Sequence, residues 1–277
     1  MGGPNWNWPR GAQVAVCITF DVDAEAGYLG EGEQFVRRLT TLSEGRFSVT
    51  RGVPRILELL QRLSVKGTFF VPGYTAERHP GVVAEILAGG HEIAHHGYLH
   101  LRSDKVSEDD QREEIERGFE ALEGAGAPRP RGYRSTSWEI TPETFALLVE
   151  HGFAYDSSCM GDDRPYVEEW DGQRLLELPV HWSLDDWPRW GWGIDAGGNM
   201  TAPAELYESW LAEYRSARAD GRLVTYTMHP EVIGRAHRFA QLEALIGKLV
   251  SDDGVWFARM DEVADHVRPA LMEPTTA

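Results

Sequence analysis

Short apolar, β-branched segments alternate with segments of helical periodicity along the whole sequence. The segments that predict buried strands are 13–20, 66–71, 91–96, 175–182, 222–230 and 254–259. The segments that predict helices are 53–63, 80–90, 107–124, 141–152, 202–218 and 238–250. This alternation is typical of a mostly parallel sheet covered by helices. In a chain of 277 residues, we expect such a sheet to close into a (β/α) barrel. We expect a single catalytic domain over residues 1–277.

Apart from the strand predicted at 175–182, residues 27–52 and 157–200 show neither the strand period nor the helix period, and both stretches are predicted to be long loops. Long loops inside a compact domain are more often functional than idle. The second loop is rich in tryptophan between residues 170 and 192, at Trp170, Trp182, Trp187, Trp190 and Trp192. Aromatic side chains line ligand pockets and also fill subunit interfaces, so both roles stay open for this stretch.

The segment HEIAHHGYLH, residues 91–100, contains four histidines and matches two different metal motifs. His91, Glu92 and His95 match the H-E-x-x-H of zinc proteases, which needs both histidines on one helix. However, the glycines at 89–90 end a helix, and HEIAHH has the pattern of a strand. Strand residues four apart are separated by roughly 13 Å, which one zinc ion with bonds of about 2 Å cannot bridge. We therefore assign His91 and His95 to structural positions.

His96 and His100 follow that strand as an H-x-x-x-H pair, where one turn of helix would bring both imidazoles to one side. Another strand, 13–20, is followed directly by Asp21 and Asp23. The carboxyl ends of barrel strands are where catalytic groups collect. Asp23 with the two histidines gives the open three-ligand set of hydrolytic zinc sites and leaves Asp21 beside the metal as a base.

A further strand ends at His229, which would project onto the same rim of the barrel. A lone histidine is usually structural, but at this rim it can protonate a leaving group as a general acid. Each of these motifs alone also fits a polar strand end with surface histidines. Their joint placement at the ends of strands favours the metal site.

Charge and composition exclude several classes of partner. The formal net charge is -17 and the basic residues are scattered, so a phosphate backbone would be repelled. No secretion signal pattern is present at the N-terminus, and no stretch stays apolar for the roughly 18 residues of a membrane helix. Cys17 and Cys159 lack C-x-x-C spacing and are predicted to be reduced thiols. We expect a cytoplasmic protein without nucleic-acid or membrane partners.

In combination, these residues resemble the motifs of the polysaccharide deacetylase superfamily, also called the NodB homology or carbohydrate esterase family four domain. The resemblance covers residues 8–267. TFDVD resembles the first motif, which implies Asp21 as the catalytic base and Asp23 as a metal ligand. HHGYLH resembles the second motif, with His96 and His100 as the other ligands. The implied fold is a distorted (β/α) barrel with seven or eight parallel strands. The implied cofactor is a divalent ion, and zinc is the favoured one.

The remaining motifs add residues around this centre. GYRSTSW resembles the third motif, which implies Arg134 next to the catalytic aspartate and Trp138 on the pocket wall, although Thr136 stands where the family commonly has proline. YDSS takes the place of the fourth motif with Asp156, and TMHP that of the fifth with His229 as the general acid. A backbone N–H at Ser137 or Trp138 would complete an oxyanion site.

The substrate expectation depends on the first motif, in which Val22 separates two aspartates that are adjacent in typical sugar deacetylases. The same spacing occurs in the branch that contains cyclic imide hydrolases, allantoinase-type members and a peptidoglycan deacetylase. SEGRF, RGVPRIL and HPEVIGRAHR look most similar to the cyclic imide hydrolases. The resemblance implies hydrolysis of a non-peptide C–N bond in a small cyclic imide. Deacetylation of amino sugars or peptidoglycan is the alternative, as is a non-catalytic ligand-binding role, and a homo-oligomer is expected.

Overall fold

The computed structural model describes residues 6–193, 195 and 197–272. Within this part of the chain, nine strands form one sheet in the order β6-β7-β5-β4-β3-β2-β1-β8, and β9 pairs with β1. In chain order the strands are β1 (Val14–Asp21), β2 (Thr68–Val71), β3 (Glu92–His95), β4 (Gly132–Tyr133), β5 (Tyr155–Asp156), β6 (Tyr166–Trp170), β7 (Gln173–Glu177), β8 (Leu223–Met228) and β9 (Val255–Phe257).

Eight of these nine strands run parallel, and β6 joins β7 as an antiparallel hairpin. One edge of β1 pairs with β8, while the other pairs with β9 at its start and with β2 at its end. The segment after β7 returns to β8 through a single parallel bridge between Asp185 and Thr227. The sheet is therefore a distorted (β/α) barrel, which confirms the predicted fold.

Twelve α-helices lie in the described residues, beside short 3-10 or π turns, and no helix there has the length and apolar character of a membrane-spanning helix. They are α1 (Ala26–Leu29), α2 (Leu39–Phe47), α3 (Val53–Leu63), α4 (Gly73–Arg78), α5 (Pro80–Ala88), α6 (Glu108–Gly124), α7 (Pro142–Glu150), α8 (Trp187–Trp190), α9 (Pro203–Asp220), α10 (Pro230–Ile233), α11 (Ala236–Val250) and α12 (Met260–Leu271). Capping boxes at Ser107 and Thr141 fix where α6 and α7 begin, because each side-chain oxygen accepts an otherwise unpaired N–H of the first turn.

The prediction of a loop over 27–52 is wrong. Helix α2 lies there, and a further helical turn at Ser48–Gly52 runs directly into α3. The buried positions of this segment include Gly45, Ser48 and Gly52, which form no apolar stripe, so the helical period is invisible in the sequence. The prediction of a loop over 157–200 is wrong in part, because β6, β7 and α8 lie there. The strand predicted at 175–182 is β7, which begins at Gln173 and ends at Glu177.

Alternate residues of β1 face two different parts of the core. Val16 and Ile18 belong to the larger cluster, which includes side chains of α3, α9 and α11. Cys17 belongs to a second cluster that fills the barrel interior and includes side chains of α12. Because side chains alternate along a strand, Asp21 shares the face of Cys17. The strand therefore presents a carboxylate at the carboxyl-end rim of the barrel.

Candidate metal centre and catalytic site

Asp23, His96 and His100 come together just beyond the carboxyl ends of β1 and β3. His96 Nε2 lies 3.4 Å from Asp23 Oδ1, and His100 Nε2 lies 3.3 Å from Asp23 Oδ2. Two ligand atoms bound to a tetrahedral zinc ion at about 2.0–2.1 Å are themselves about 3.3 Å apart. Asp23 Oδ1 is buried and has no hydrogen-bond partner among the described residues. The donor types and their spacing therefore fit a divalent metal ion.

Two other groups of side chains in the described residues lie close enough to share an ion. They are Asp156 with Cys159 and Glu177, and Asp185 with Asp186 and His229. Of the three groups, the Asp23 group alone contains two imidazoles, which are favoured zinc donors. Burial by itself would raise the pKa of Asp23, but the two imidazoles hold that pKa well below its ordinary value. The carboxylate is thus ready to bind a cation.

The two candidate histidine ligands are oriented in different ways. The Nδ1–H of His96 donates to the backbone oxygen of Arg134 at 2.7 Å, which leaves Nε2 free to face Asp23. His100 Nδ1 is buried without such a partner among the described residues. Residue His100 has a left-handed φ of 64°, and the segment around it is not helical. The predicted turn of helix is therefore wrong, and an irregular loop brings the imidazoles together instead.

Asp21 is held by a fully buried arginine. Arg134 Nη1 donates to Asp21 Oδ1 at 2.7 Å and to Thr19 Oγ1 at 3.0 Å. Its Nη2 donates to Ser157 Oγ at 3.0 Å, and the guanidinium lies over the ring of Phe70 at 4.0 Å. The structure thus places Arg134 beside Asp21, in a geometry that fixes the carboxylate and compensates its buried charge.

His229 faces the same cluster from the end of β8. Its Nε2 lies 3.9 Å from Asp23 Oδ2, while its Nδ1–H donates to Asp186 Oδ1 at 2.8 Å. The backbone N–H of His229 also donates to Asp186, at 3.1 Å. Burial lowers the pKa of His229, but the hydrogen bond to Asp186 and the charge of Asp185 raise it well above its ordinary value. This direction favours the protonated imidazole, which is the form that can act as an acid.

Trp138 lies in a tight turn where Ser137 and Trp138 have φ values of 53° and 56°, and its place on the pocket wall stays a prediction. Its ring stacks on Trp182 with centroids 4.1 Å apart. Its backbone N–H donates to the carbonyl of Ser135 at 3.0 Å, so the expectation that this amide serves an oxyanion is wrong. The corresponding role of the Ser137 amide stays a prediction.

Asp156 lies in the interior, beneath the segment that carries Arg134. Ser158 Oγ donates to Asp156 Oδ1 at 2.8 Å and accepts the backbone N–H of Ser135 at 2.8 Å. Burial raises the pKa of Asp156 to about 6, and the adjacent Glu177 is buried as well. This position suits an orienting role for Asp156, whereas a direct contact with substrate stays a prediction.

Sequence reasoning missed three buried carboxyl groups near the site. Asp185 and Asp186 lie in the predicted loop between β7 and α8, where a DD pair gives no sign that both side chains are buried. Burial raises the pKa of Asp185 to about 7. Glu231, in α10, is buried with no hydrogen-bond partner for Oε2 among the described residues, and burial together with the charge of Asp23 raises its pKa to about 8. Its position two residues after His229 was the available signal.

The tryptophan-rich stretch 170–192 brings Trp187 next to the site. Trp182 stacks on Trp138, and the ring of Trp187 lies 5.2 Å from that of His229. Trp190 is buried in the main core. The other two are more than half exposed, namely Trp170 and Trp192. The stretch therefore combines an aromatic neighbour of His229, a core residue and exposed aromatic surface.

The structure excludes the competing H-E-x-x-H motif, because Glu92–His95 form the strand β3, as predicted, and not a helix. His91 Nδ1 accepts the N–H of Gly67 at 3.1 Å. His95 Nδ1 accepts the N–H of Gly97 at 3.1 Å, and its Nε2–H donates to the carbonyl of Ile115 at 3.0 Å. Both imidazoles are thus engaged with backbone groups, and neither takes part in the Asp23 cluster.

Fold and site together define a (β/α)-barrel protein of the NodB type, with a candidate metal centre at the carboxyl ends of its strands. The chain belongs to the polysaccharide deacetylase family, whose sequence model matches residues 13–155.

Comparison with individual proteins gives the same relationship. The chain is 27% identical to a peptidoglycan deacetylase of Helicobacter pylori over 91% of this chain and 96% of that protein. A Mycobacterium smegmatis protein assigned to the polysaccharide deacetylases has a crystal structure that superimposes with a TM-score of 0.93, at 42% identity, over 100% of this chain and 98% of that one. The crystal structure of an allantoinase superimposes with a TM-score of 0.86, at 25% identity, over 98% of this chain and 96% of that one.

Proposed function

We propose that this protein is a metal-dependent hydrolase of non-peptide C–N bonds, and that its favoured substrate is a small cyclic imide or ureide whose ring it opens. Two observations support the proposal. His229 Nε2 lies 3.9 Å from Asp23 Oδ2, and Arg134 links Asp21 to His96, because its guanidinium donates to Asp21 and its backbone oxygen accepts the Nδ1–H of His96. A base, an acid and a set of metal donors at one site are the components of assisted amide hydrolysis.

Each component has a defined task in the proposed mechanism. Asp23, His96 and His100 would hold a divalent ion, which would supply Lewis acidity towards a carbonyl group and towards water. Asp21 accepts the proton of the attacking water, and Arg134 keeps the Asp21 carboxylate aimed at it. His229 donates the proton on Nε2 to the departing nitrogen.

Asp186 makes this transfer possible because it fixes the imidazole of His229. Its carboxylate accepts the Nδ1–H, so the Nε2–H points towards the cluster. The same carboxylate stabilises the imidazolium form that the acid needs before each turnover.

Enclosure of the site supports a small substrate. Asp21, Asp23 and His229 are all at most 8% exposed, which leaves little room for a polymer to lie across them. Trp187 stands beside His229 and offers a flat face on which a planar ring can stack. The similarity to an allantoinase over nearly the full length of both chains supports ring opening further.

Deacetylation of an amino sugar or of peptidoglycan is the second candidate, and it is favoured by the full-length similarity to the Helicobacter pylori peptidoglycan deacetylase. The proposed site residues would serve either reaction, because both break a C–N bond next to a carbonyl. A non-catalytic ligand-binding role is the third candidate.

A direct competition between substrates tests the proposal. Ring opening of succinimide and phthalimide is followed by loss of ultraviolet absorbance, and acetate release from N-acetylglucosamine oligomers by a coupled assay. We expect turnover of the imides, and its loss in Asp21→Asn. The matched control Asp171→Asn changes an exposed aspartate and should keep full activity. Turnover of the oligomers alone would establish the deacetylase, and turnover of neither substrate class would favour the binding role.

A cytoplasmic location and a homo-oligomeric assembly complete the proposal. Cys17 and Cys159 are both free thiols, as is usual in a reducing compartment. Large apolar side chains that are more than half exposed support self-association, namely Val36, Leu39, Trp170, Trp192 and Met200. Light scattering coupled to size exclusion should therefore give a mass that is a multiple of 31.1 kDa. A mass of one chain at micromolar concentration would contradict the assembly.

A further inference from the structure

The loop from Gly97 to Leu101 carries His100, and its shape decides where that imidazole points. His96 is oriented through its own ring, by the bond from Nδ1 to the backbone oxygen of Arg134. His100 Nδ1 has no such partner among the described residues. The direction of the His100 side chain is therefore set mainly by its backbone.

One carboxylate collects the backbone N–H groups of this loop. Glu114, on α6, accepts the N–H of Tyr98 at 3.0 Å, that of Leu99 at 2.9 Å and that of Leu101 at 3.2 Å. The loop lies in neither a helix nor a strand, so these donors depend on a side-chain acceptor. Glu114 is itself only 8% exposed, which removes water as a competing donor.

The surrounding backbone is shaped to bring the N–H groups onto Glu114. Gly97 and His100 have left-handed φ values of 71° and 64°, which turn successive amides towards one side. A Cβ at Gly97 would lie 3.0 Å from Glu114 Oε2, so this carboxylate approaches the loop closely. A Cβ at Gly30, at the end of α1, would lie 2.4 Å from the carbonyl oxygen of His100, so α1 approaches the loop as well. The loop is thus in close contact with both α6 and the end of α1.

We propose that Glu114 is the positioning residue of His100: it holds the loop in the one shape that directs the imidazole at Asp23. Within the described residues, Glu114 makes no hydrogen bond to Asp23, His96 or His100, and it acts through the backbone of the loop. The inference rests on the metal centre of the proposed function, because it assigns Glu114 a role in metal affinity.

Zinc affinity measured in a double-mutant cycle tests this role. Competition with a chromophoric chelator gives the Kd of the wild type, Glu114→Gln, His100→Ala and the double variant. Glutamine keeps the shape of the side chain but removes its charge, and its NH2 group is a donor that faces the donor N–H groups of the loop. We expect Glu114→Gln alone to weaken zinc binding by about 10- to 100-fold, the range for partners that orient metal ligands. The control Glu120→Gln, an exposed glutamate on the same helix, should leave the Kd unchanged.

The His100→Ala background distinguishes positioning from general damage to the fold. Once the imidazole is gone, Glu114→Gln should cause no further loss of zinc affinity. An equal loss in both backgrounds, or no loss in the presence of His100, would overturn the inference.

Two further measurements separate other failures. If Glu114→Gln does not fold, Glu114→Asp replaces it in the same cycle, because aspartate keeps the charge but is one methylene shorter. The loss of zinc affinity with and without His100 is then compared in the same way. Zinc affinity that is unchanged in Asp23→Ala would overturn the metal centre itself, and the positioning role with it. Loss of turnover with intact zinc binding would instead count against the proposed reaction and leave the role of Glu114 standing.

Discussion

The buried ion pair between Asp21 and Arg134 leads to a prediction of defined size. Both side chains are at most 2% exposed, and Arg134 Nη1 lies 2.7 Å from Asp21 Oδ1. In Arg134→Met the carboxylate stays buried without its cation, and Thr19 and Ser157 lose the donors that Arg134 supplies. Removal of one partner of a buried pair costs about 3–5 kcal/mol of unfolding free energy. With a Tm shift of about 2–4 °C per kcal/mol in a chain of this size, the Tm should fall by roughly 6–20 °C.

Arg131 provides a matched control three residues earlier in the chain. It pairs with Asp265 at the surface, where the two side chains are 47% and 57% exposed. Because exposed ion pairs contribute only about 0–1 kcal/mol, Arg131→Met should lower the Tm by no more than roughly 4 °C. Addition of Asp21→Asn to Arg134→Met should restore part of the lost stability, since it removes the uncompensated buried charge.

The assay is thermal unfolding followed by circular dichroism, with urea unfolding as a second measure of the free energy. Imide turnover of the same proteins is recorded in parallel and should fall sharply in Arg134→Met. Equal Tm values for the Arg134 and Arg131 variants would refute the reasoning, because the Asp21 carboxylate would then not depend on a buried cation.

Two further predictions concern the acid and the loop that carries a ligand. Burial lowers the pKa of His229, but the hydrogen bond to Asp186 outweighs burial and raises that pKa, and a general acid loses activity as the pH rises through its pKa. Asp186→Asn should therefore shift the alkaline limb of the kcat/KM profile to lower pH. An alkaline limb at the same pH would contradict this prediction. Gly30→Ala places a Cβ 2.4 Å from the carbonyl oxygen of His100, so zinc affinity should fall by about tenfold or more. The control is Gly81→Ala in α5, where an added Cβ meets nothing within 4 Å. This variant should leave the zinc Kd unchanged and stabilise the fold by about 0.5–1 kcal/mol. Equal zinc Kd values for the Gly30 and Gly81 variants would count against the packing argument.

Strand prediction from the sequence succeeded where burial is continuous. The run before Asp21 is apolar and β-branched because β1 is covered on both faces, and such strands cannot be confused with an amphipathic helix. The glycines that end α5 were equally informative, since they require the histidine-rich segment to begin as a strand and so exclude the protease geometry.

Other features were invisible because their signal is tertiary. The helical turn at Ser48–Gly52 buries small residues against Pro230, whose carbonyl oxygen a Cβ at Gly52 would meet at 2.4 Å. Small residues that pack by close backbone approach leave no apolar period to detect. Asp186 and Glu231 lie buried near His229, but acidic residues in short connecting segments are ordinarily solvated. Only the folded chain shows which of them face the site.

The most direct test of the central claim is the position of the metal. Crystals equilibrated with zinc and measured at the zinc absorption edge should give one strong anomalous peak, within about 2.3 Å of a carboxylate oxygen of Asp23 and of Nε2 of both His96 and His100. A fully occupied peak at either of the other two candidate groups, with none at Asp23, would contradict the account.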